Sequence, residues 1–223
     1  MTAPIGAAVN AIDLERVVRF DRTERWLHWT NATLFLILLA TGMTLYIPSL
    51  SSLVGRRVLL KDVHVISGVL LPVPLLLAYS GSWRAALRRD VRRLSRWSVD
   101  DRRWITSFGR KGHASMGKFN AGQKLNAIFV AGCIPVLLAT GSIMKWFNPF
   151  PLAWRTGATF VHDWLALVLL VAITGHILKA LAEPVALRAM VTGTVLRRPA
   201  ERHHPRWAAE LAAEDRDGTE ARS

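Results

Sequence analysis

The sequence predicts an all-α membrane protein, a bundle of four transmembrane helices with both termini in the cytoplasm. Three observations predict this fold class: four long segments that are uncharged or carry a single charge, 29 Lys and Arg against 16 Asp and Glu, and an uneven distribution of those cations. Hydrophobic residues make up 51% of the 223 residues, and yet the net charge is +13. Such a chain must keep its charges apart from its apolar segments, because a charge at the centre of a bilayer is costly.

Four segments are long enough to cross a membrane. Residues 26–48, 63–83 and 125–144 contain no Asp, Glu, Lys or Arg, and residues 156–178 contain only Asp163. A helix rises about 1.5 Å per residue, so about 20 residues cross a hydrocarbon layer of about 30 Å. Buried helices of a soluble bundle are the alternative, but they rarely run so far without a charge. With their flanks, the expected spans are about 26–48, 63–83, 122–146 and 156–182.

Two of these spans contain proline. Pro72 and Pro74 fall within the second span and Pro135 within the third. Neighbouring groups in a membrane bundle can satisfy the carbonyls that proline leaves unpaired, so we expect kinks and not helix ends. No internal repeat is evident. The residues after Arg206 turn acidic and small, and we expect a frayed end there.

The cations orient the bundle. Most Lys and Arg lie in the N-terminal segment, in the connection between the second and third spans, and in the tail. The first connection has only Arg56, Arg57 and Lys61, and the third has Arg155 with Lys145 at its edge. Positive residues favour the cytoplasmic side, so we expect both termini and the long middle connection inside and the two short connections outside. With four spans, the chain is expected to be a multi-pass protein of the cell (inner) membrane. The expected domains are a basic cytoplasmic N-terminal segment 1–25, a membrane domain 26–182 and a cytoplasmic tail 183–223.

The composition also excludes several classes of function. High hydrophobicity excludes intrinsic disorder, and segments of membrane length count against a nucleic-acid-binding domain. Topology and attraction to anionic membrane lipid account for the positive charge without a nucleic acid partner. The single cysteine, Cys133, excludes a disulfide framework, cysteine zinc sites and covalent haem attachment by this chain. Metal chemistry in this chain must therefore use histidine.

Four of the seven histidines lie in or at the spans: His28, His64, His162 and His176. His162 and His176 are 14 residues apart, so they face the same side of one helix at depths about 21 Å apart. The predicted orientation places His28 and His176 near the inner surface, and it places His64 and His162 near the outer surface. Topology thus sorts the four histidines into two pairs. His113, His203 and His204 lie in cytoplasmic connections and are not expected to be ligands.

Two histidine pairs at two depths favour two non-covalent haem b groups, since each haem held for electron transfer needs two facing imidazoles. A single membrane histidine can instead be a hydrogen-bonded interhelical contact. A proton relay would need more acidic partners, and a transporter for another metal would cluster its histidines at one depth. Small residues near these levels either let a macrocycle approach the backbone or permit close helix packing: Gly42, Gly68, Gly141 and Gly175.

Several motifs over nearly the whole chain resemble the gamma subunit of membrane-bound formate dehydrogenase, a four-helix cytochrome b. The run Gly117-Lys118-Phe119-Asn120-Ala121-Gly122-Gln123-Lys124 and the tail His203-His204-Pro205-Arg206-Trp207 are the most specific of them. The others are Arg25-Trp26-Leu27-His28-Trp29, Thr41-Gly42, Val63-His64-Val65-Ile66-Ser67-Gly68 and the spacing of His162 and His176.

The resemblance implies that His28, His64, His162 and His176 are haem iron ligands, paired as above. It also implies that Asn120, Gly122 and Gln123 line a pocket for menaquinone or ubiquinone beside the inner haem. From the residues alone, Asn120 could equally cap the third span, while amide groups could donate to a quinone and Gly122 could admit its ring.

The implied partners are an iron–sulfur (beta) subunit, a catalytic molybdenum or tungsten (alpha) subunit, quinone and membrane lipid, with no nucleic acid. The chain would transfer electrons in respiration and perform no chemistry on formate itself. Two alternatives remain. One is the cytochrome b anchor of another quinone-linked oxidoreductase, of the thiosulfate reductase or hydrogenase type. The other is an anchor or transporter without haem.

Overall fold

The computed structural model describes residues 15–81, 83–110 and 117–220. The predicted N-terminal segment is therefore described from residue 15 only, and His113 lies outside the described residues. In chain order the elements are β1 (Arg16–Val18), α1 (Arg22–Tyr46), α2 (Pro48–Val54), α3 (Arg57–Leu70), α4 (Val73–Ser80), α5 (Arg84–Ser95), α6 (Val99–Thr106), α7 (Ala121–Lys145), α8 (Leu152–Ala182), α9 (Pro184–Thr192), β2 (Thr194–Leu196), α10 (Arg197–His203) and α11 (Pro205–Glu220).

Four helical stretches of the described chain are long and apolar enough to cross a membrane: Arg22–Tyr46, Arg57–Ser80, Ala121–Lys145 and Leu152–Ala182. The predicted four-helix membrane fold is thereby confirmed. All four begin earlier than the apolar segments of the sequence, because a helix can continue its backbone hydrogen bonds into charged or polar flanks that reach water. A helix satisfies all its backbone groups internally, which is why a lipid-exposed segment adopts it.

Proline shapes the second span as expected. Helix α3 ends at Leu70 and α4 begins at Val73, but Leu71 and Pro72 between them keep right-handed helical dihedral angles. The backbone N–H of Leu76 donates to the Pro72 carbonyl over 3.0 Å, so the helical path continues beyond the interruption. Pro135 lies inside the unbroken helix α7.

The chain divides into two units. Of the described residues, those within 23–87 and 128–179 form one, here called the bundle unit, and those within 15–22, 88–127 and 180–220 form the other, here called the polar unit.

Each span contributes a buried residue to the core of the bundle unit. Phe35, Leu71, Cys133 and Leu169 are all at most 8% exposed and form one cluster. Many other apolar side chains of the spans point outward, with Val171, for example, 66% exposed. An apolar surface of this extent requires lipid around it, because a soluble monomer rarely exposes large apolar patches.

The polar unit has a core of its own around Trp207, which is 2% exposed. Strands β1 and β2 pair antiparallel beside it, with Val17 opposite Val195. Nδ1 of His204 bonds the Gly117 carbonyl over 2.7 Å. The tail motif therefore fastens the chain ends to the segment before the third span. The expectation of a frayed end after Arg206 is wrong, because α11 is a helix that packs its first turn on this core.

Candidate functional site

The structure brings His64 and His162 together, as the topology predicts. Their ring centres are 6.3 Å apart in the bundle unit, with the ring planes at 62°. An imidazole nitrogen lies about 2.0–2.1 Å from a metal it binds and about 1.2 Å from its ring centre, so two rings on opposite sides of one ion have centres about 6.4 Å apart. The separation of the 64/162 rings therefore fits two imidazoles that would hold one metal ion between them.

Threonine hydroxyls orient both of these imidazoles. Oγ1 of Thr41 lies 2.9 Å from Nδ1 of His64, and Oγ1 of Thr140 lies 3.0 Å from Nδ1 of His162. Thr41 donates to the Ile37 carbonyl over 2.6 Å, and Thr140 donates in the same way to Val136. Because a hydroxyl has one proton, each ring Nδ1 must be the donor to its threonine. Nε2 then carries no proton. In this tautomer the imidazole can bind a metal through Nε2.

Glycines beside the two threonines make room for the same rings. A Cβ atom at Gly42 would lie 3.3 Å from Cε1 of His64, and one at Gly141 would lie 3.3 Å from Cε1 of His162. The absence of a side chain at these two glycines therefore leaves room for the imidazole rings. Gly68 faces Leu38 at ordinary contact distance, and Gly175 has no side-chain neighbour within 4 Å in the described part of the chain.

The second predicted pair is also brought together. The ring centres of His28 and His176 are 6.2 Å apart, with the planes at 60°. Along the fourth span this 28/176 pair lies about 21 Å from the 64/162 pair. Asn31 follows His28 by one turn on the same helix face, and its Oδ1 atom is buried without a hydrogen-bond partner in the described structure. A buried acceptor without a hydrogen-bond partner is costly. The Asn31 side chain is therefore a polar group near the 28/176 pair to which a ligand or a water molecule could donate a hydrogen bond.

Asn120 and Gln123 lie in the polar unit, where they cap the start of helix α7. The Gln123 backbone N–H donates to Oδ1 of Asn120 over 2.8 Å, and the Asn120 backbone N–H donates to Oε1 of Gln123 over 3.0 Å. This is a capping box, so the capping alternative for Asn120 holds. It uses only the amide oxygens, and it leaves both –NH2 groups to donate elsewhere.

Gly122 has a neighbour that the sequence did not reveal. A Cβ atom there would lie 2.7 Å from Cη2 of Trp104, closer than real Cβ contacts come. The indole of Trp104 therefore occupies the space over Gly122 in the polar unit. Glycine is required at this position because any side chain there would collide with the indole, with or without a quinone nearby.

A buried ion pair lies next to this segment. Nζ of Lys124 is 2.7 Å from Oδ2 of Asp101 and 2.9 Å from the Arg96 carbonyl. Burial by itself raises the pKa of the Asp101 carboxyl, but hydrogen bonds from Lys124 and Ser98 outweigh it and hold that pKa below its ordinary value. A cavity of about 270 Å³ beside the pair includes Trp97, Trp104 and Ala121 in its walls. In the described structure Asn120, Gly122 and Gln123 are not part of those walls.

Comparison with known proteins identifies the family. The sequence model of prokaryotic cytochrome b561 matches residues 19–193, which include both histidine pairs. The chain belongs to the prokaryotic cytochrome b561 family. Membership implies that it binds haem b, and with its four apolar helices it is a multi-pass membrane protein. The residues present fit that group, since the 28/176 and 64/162 pairs have the separations that axial ligation requires.

Three relatives of this cytochrome b561 chain have informative names. The "Formate dehydrogenase, cytochrome b556(fdo) subunit" of Escherichia coli (strain K12) is 29% identical over 207 residues, covering 88% of this chain and 94% of the relative. The "Formate dehydrogenase, nitrate-inducible, cytochrome b556(Fdn) subunit" of the same strain is 27% identical, covering 87% and 91%. The "Formate dehydrogenase, cytochrome b556 subunit" of Haemophilus influenzae is 26% identical, covering 87% and 83%.

Thr41 and Thr140 are the site residues that sequence reasoning missed as partners of the imidazoles. The expectation of no internal repeat is wrong at these positions, because residues 38–42 and 137–141 both read Leu-Leu-Ala-Thr-Gly. In each half of the cytochrome the motif precedes the histidine it contacts, by 23 residues for Thr41 and by 22 for Thr140. This repeat is the signal that could have found the threonines.

Proposed function

We propose that this chain is the membrane cytochrome b subunit of a formate dehydrogenase complex, passing electrons from an iron–sulfur subunit through two b haems to a quinone. The observation that carries the proposal is the pair of histidine contacts, with ring centres 6.2 and 6.3 Å apart at two levels of one bundle. The names of the three relatives support the choice of formate dehydrogenase.

Four side chains would hold the two haem irons: His28 with His176, and His64 with His162. When bound, the haems supply one-electron transfer along the bundle. Thr41 and Thr140 accept hydrogen bonds from the Nδ1–H groups of the 64/162 pair, and so favour the tautomer in which Nε2 carries no proton. The apolar core around Phe35 and Leu169 keeps water away from these positions.

Asn120 and Gln123 would bind the quinone, which is menaquinone or ubiquinone. Their –NH2 groups can donate to a quinone carbonyl, while their oxygens remain in the capping box. The capping box fixes both amides on a rigid helix start, which limits the entropy lost on binding. Gly122 supports the same segment by admitting Trp104.

The distribution of cations orients the chain in this proposal. The membrane domain is 26–182, and the N-terminal segment 1–25 and the tail 183–223 lie in the cytoplasm. The 28/176 pair then lies toward the cytoplasm, and the 64/162 pair lies toward the outer side, where the iron–sulfur subunit and its molybdenum or tungsten partner would dock. Moving an electron inward against the membrane potential costs about 2.3 kcal/mol per 100 mV. Electron transfer from the outer pair to the inner pair would therefore store free energy as membrane potential.

Purification of the tagged chain from its native membranes in mild detergent tests the proposal. We expect co-purification of an iron–sulfur and a molybdenum or tungsten subunit, two haems b per chain, and reduction of the haems by formate with reoxidation by added quinone. Haems that dithionite reduces but formate does not would point to another quinone-linked oxidoreductase, of the thiosulfate reductase or hydrogenase type. A folded but colourless preparation would contradict the cytochrome function altogether.

A further inference from the structure

An arginine lies on the same helix face as each histidine of the 64/162 pair. Arg155 precedes His162 by seven residues in α8, and Arg57 precedes His64 by seven residues in α3. Seven residues amount to two turns, so each arginine is within about 20° of its histidine around the axis and about 10.5 Å further along it. Both arginines therefore stand on the side of the pair facing the ends where α3 and α8 begin.

The sequence repeats this placement in both halves of the chain. Residues 57–64 and 155–162 both read Arg, five variable residues, Val and His. Together with the Leu-Leu-Ala-Thr-Gly repeat, each half supplies one histidine, one threonine and one glycine to the level of the 64/162 pair, and one arginine two turns away from that level. The duplication indicates that the arginines belong to the site that the histidines and threonines form.

Arg155 has an unsatisfied atom at this place. Its Nε is buried and has no hydrogen-bond partner in the described part of the chain. Its guanidinium lies 5.6 Å from the ring centre of Phe147, and it lines an open surface groove with Thr156 and Thr159 whose described walls do not include His64 or His162. A buried guanidinium nitrogen without a partner is costly, and a hydrogen bond to a carboxylate would satisfy it.

Arg57 has partners but keeps further donors. Its Nη1 atom donates to Oγ of Ser51 over 2.9 Å and faces the Leu45 carbonyl at 3.4 Å. These contacts use one of its three nitrogens, and an arginine has five N–H donors in a fork that matches a carboxylate. Ser51 therefore holds the guanidinium in place while leaving the other nitrogens to donate.

We propose that Arg57 and Arg155 bind the two propionate carboxylates of the haem held by the 64/162 pair. A carboxylate in a low-dielectric bundle needs a compensating charge and hydrogen bonds. The distance of two helical turns is comparable to the reach from the centre of a porphyrin to the ends of its propionate chains. Two other cations at this end are placed differently: Nζ of Lys145 lies 3.7 Å from Oδ1 of Asp62, and Arg56 precedes α3 with a backbone that is not helical.

The proposal rests on haem binding by the 64/162 pair, so the test begins with the haem content of the wild-type complex. Arg155→Gln, Arg57→Gln and the double variant are then compared with Arg56→Gln, which removes a neighbouring cation of equal charge that precedes α3. The measurements are the haem-to-protein ratio, the midpoint potential of each haem by optical redox titration, and the infrared bands of ¹³C-labelled haem propionates.

Each Gln variant of Arg57 or Arg155 is expected to lower the midpoint potential of one haem only, because losing a cation disfavours the added electron, and to move the labelled carboxylate bands. Arg155→Lys should keep more of the potential but still move the bands, since it retains the charge without the fork. Arg56→Gln should change neither. Unchanged potentials and bands in all Gln variants overturn the proposal and assign the arginines to lipid phosphates at the membrane surface. A wild-type complex without haem contradicts the proposed function instead.

Discussion

Oγ1 of Thr41 accepts a hydrogen bond from Nδ1 of His64 over 2.9 Å, because its own proton is donated to the Ile37 carbonyl. The contact links the first span to the second and fixes the tautomer of the imidazole. Thr140 and His162 repeat it between the third and fourth spans. The orientation of these two candidate iron ligands thus depends on helices that carry neither ligand.

Replacing Thr41 by Val should weaken haem binding at this level. The loss of the hydroxyl leaves the buried Nδ1–H without an acceptor, and loss of such a contact typically costs about 10–100-fold in metal affinity. Titration of haem into the apoprotein, followed by absorption, measures the effect. Thr41→Ser should restore binding, and Thr44→Val serves as the control, because Thr44 donates only to its own helix at Ala40. Equal affinity in Thr41→Val and wild type would contradict the role.

Replacing His176 by Ala should remove one haem and block quinone reduction. The haem-to-protein ratio should fall from two to one, and the remaining haem should still be reduced by the donor subunit. His162→Ala should remove the other haem. His204→Gln is the control, because His204 bonds the Gly117 carbonyl and lies in the polar unit. Retention of two haems in His176→Ala would show that the pairing is wrong.

Gln123→Glu separates capping from quinone binding. Glutamate still accepts from the Asn120 backbone N–H, so the capping box survives, but the –NH2 donor is lost. Losing one hydrogen bond worth about 1.4 kcal/mol corresponds to about tenfold slower turnover at limiting quinone. Steady-state quinone reduction measures this, and the haem spectra should remain those of the wild type. Unchanged kinetics in Gln123→Glu would limit Gln123 to a structural role.

Gly122→Ala should destabilise the polar unit by about 1–3 kcal/mol, since the new methyl group would collide with Trp104. Thermal unfolding in detergent, followed by circular dichroism, measures the loss. Trp104→Leu introduced together with Gly122→Ala should recover part of it, because the smaller side chain leaves room. No recovery in the double variant would mean that the strain lies elsewhere.

Stability should fall at acid pH through Asp101. Its pKa is lower in the folded protein than the unfolded value of about 3.9, so its contribution is present above that value and is lost as the pH falls through the lower folded pKa. Asp101→Asn should leave Lys124 buried without its partner, cost about 3–5 kcal/mol at neutral pH and flatten the acid limb. Melting temperatures between pH 3 and 7 measure both effects. Asp100→Asn, which removes a surface contact with Arg103, should have the smaller effect.

Long uncharged segments and histidine spacing were enough to predict the four spans and both histidine pairs. These features are readable because the bilayer fixes helix length and because 14 residues return a helix to nearly the same face. The interruption at Leu71 and Pro72 was readable for a similar reason, since proline has a local effect on its own helix.

Contacts between distant segments could not be predicted from the sequence. The Thr41–His64 bond and the Trp104–Gly122 contact depend on how helices are placed side by side, which periodicity does not report. Strands β1 and β2 have three residues each, too few for an alternating pattern. Helix α11 has an acidic composition typical of a frayed end, and Trp207 at its start stabilises it through a core assembled from remote parts of the chain.

The Leu-Leu-Ala-Thr-Gly repeat has an evolutionary consequence. A hairpin of two helices that carries this motif and one histidine can complete a site only by associating with a second hairpin of the same kind. Gene duplication and fusion of such an ancestor would produce the 64/162 level directly. The positions equivalent to His176 and His28 in the opposite halves are Ala78 and Ala127, so the repeat does not extend to the histidines of the 28/176 level. In that history a bundle with one histidine pair would have preceded the bundle with two.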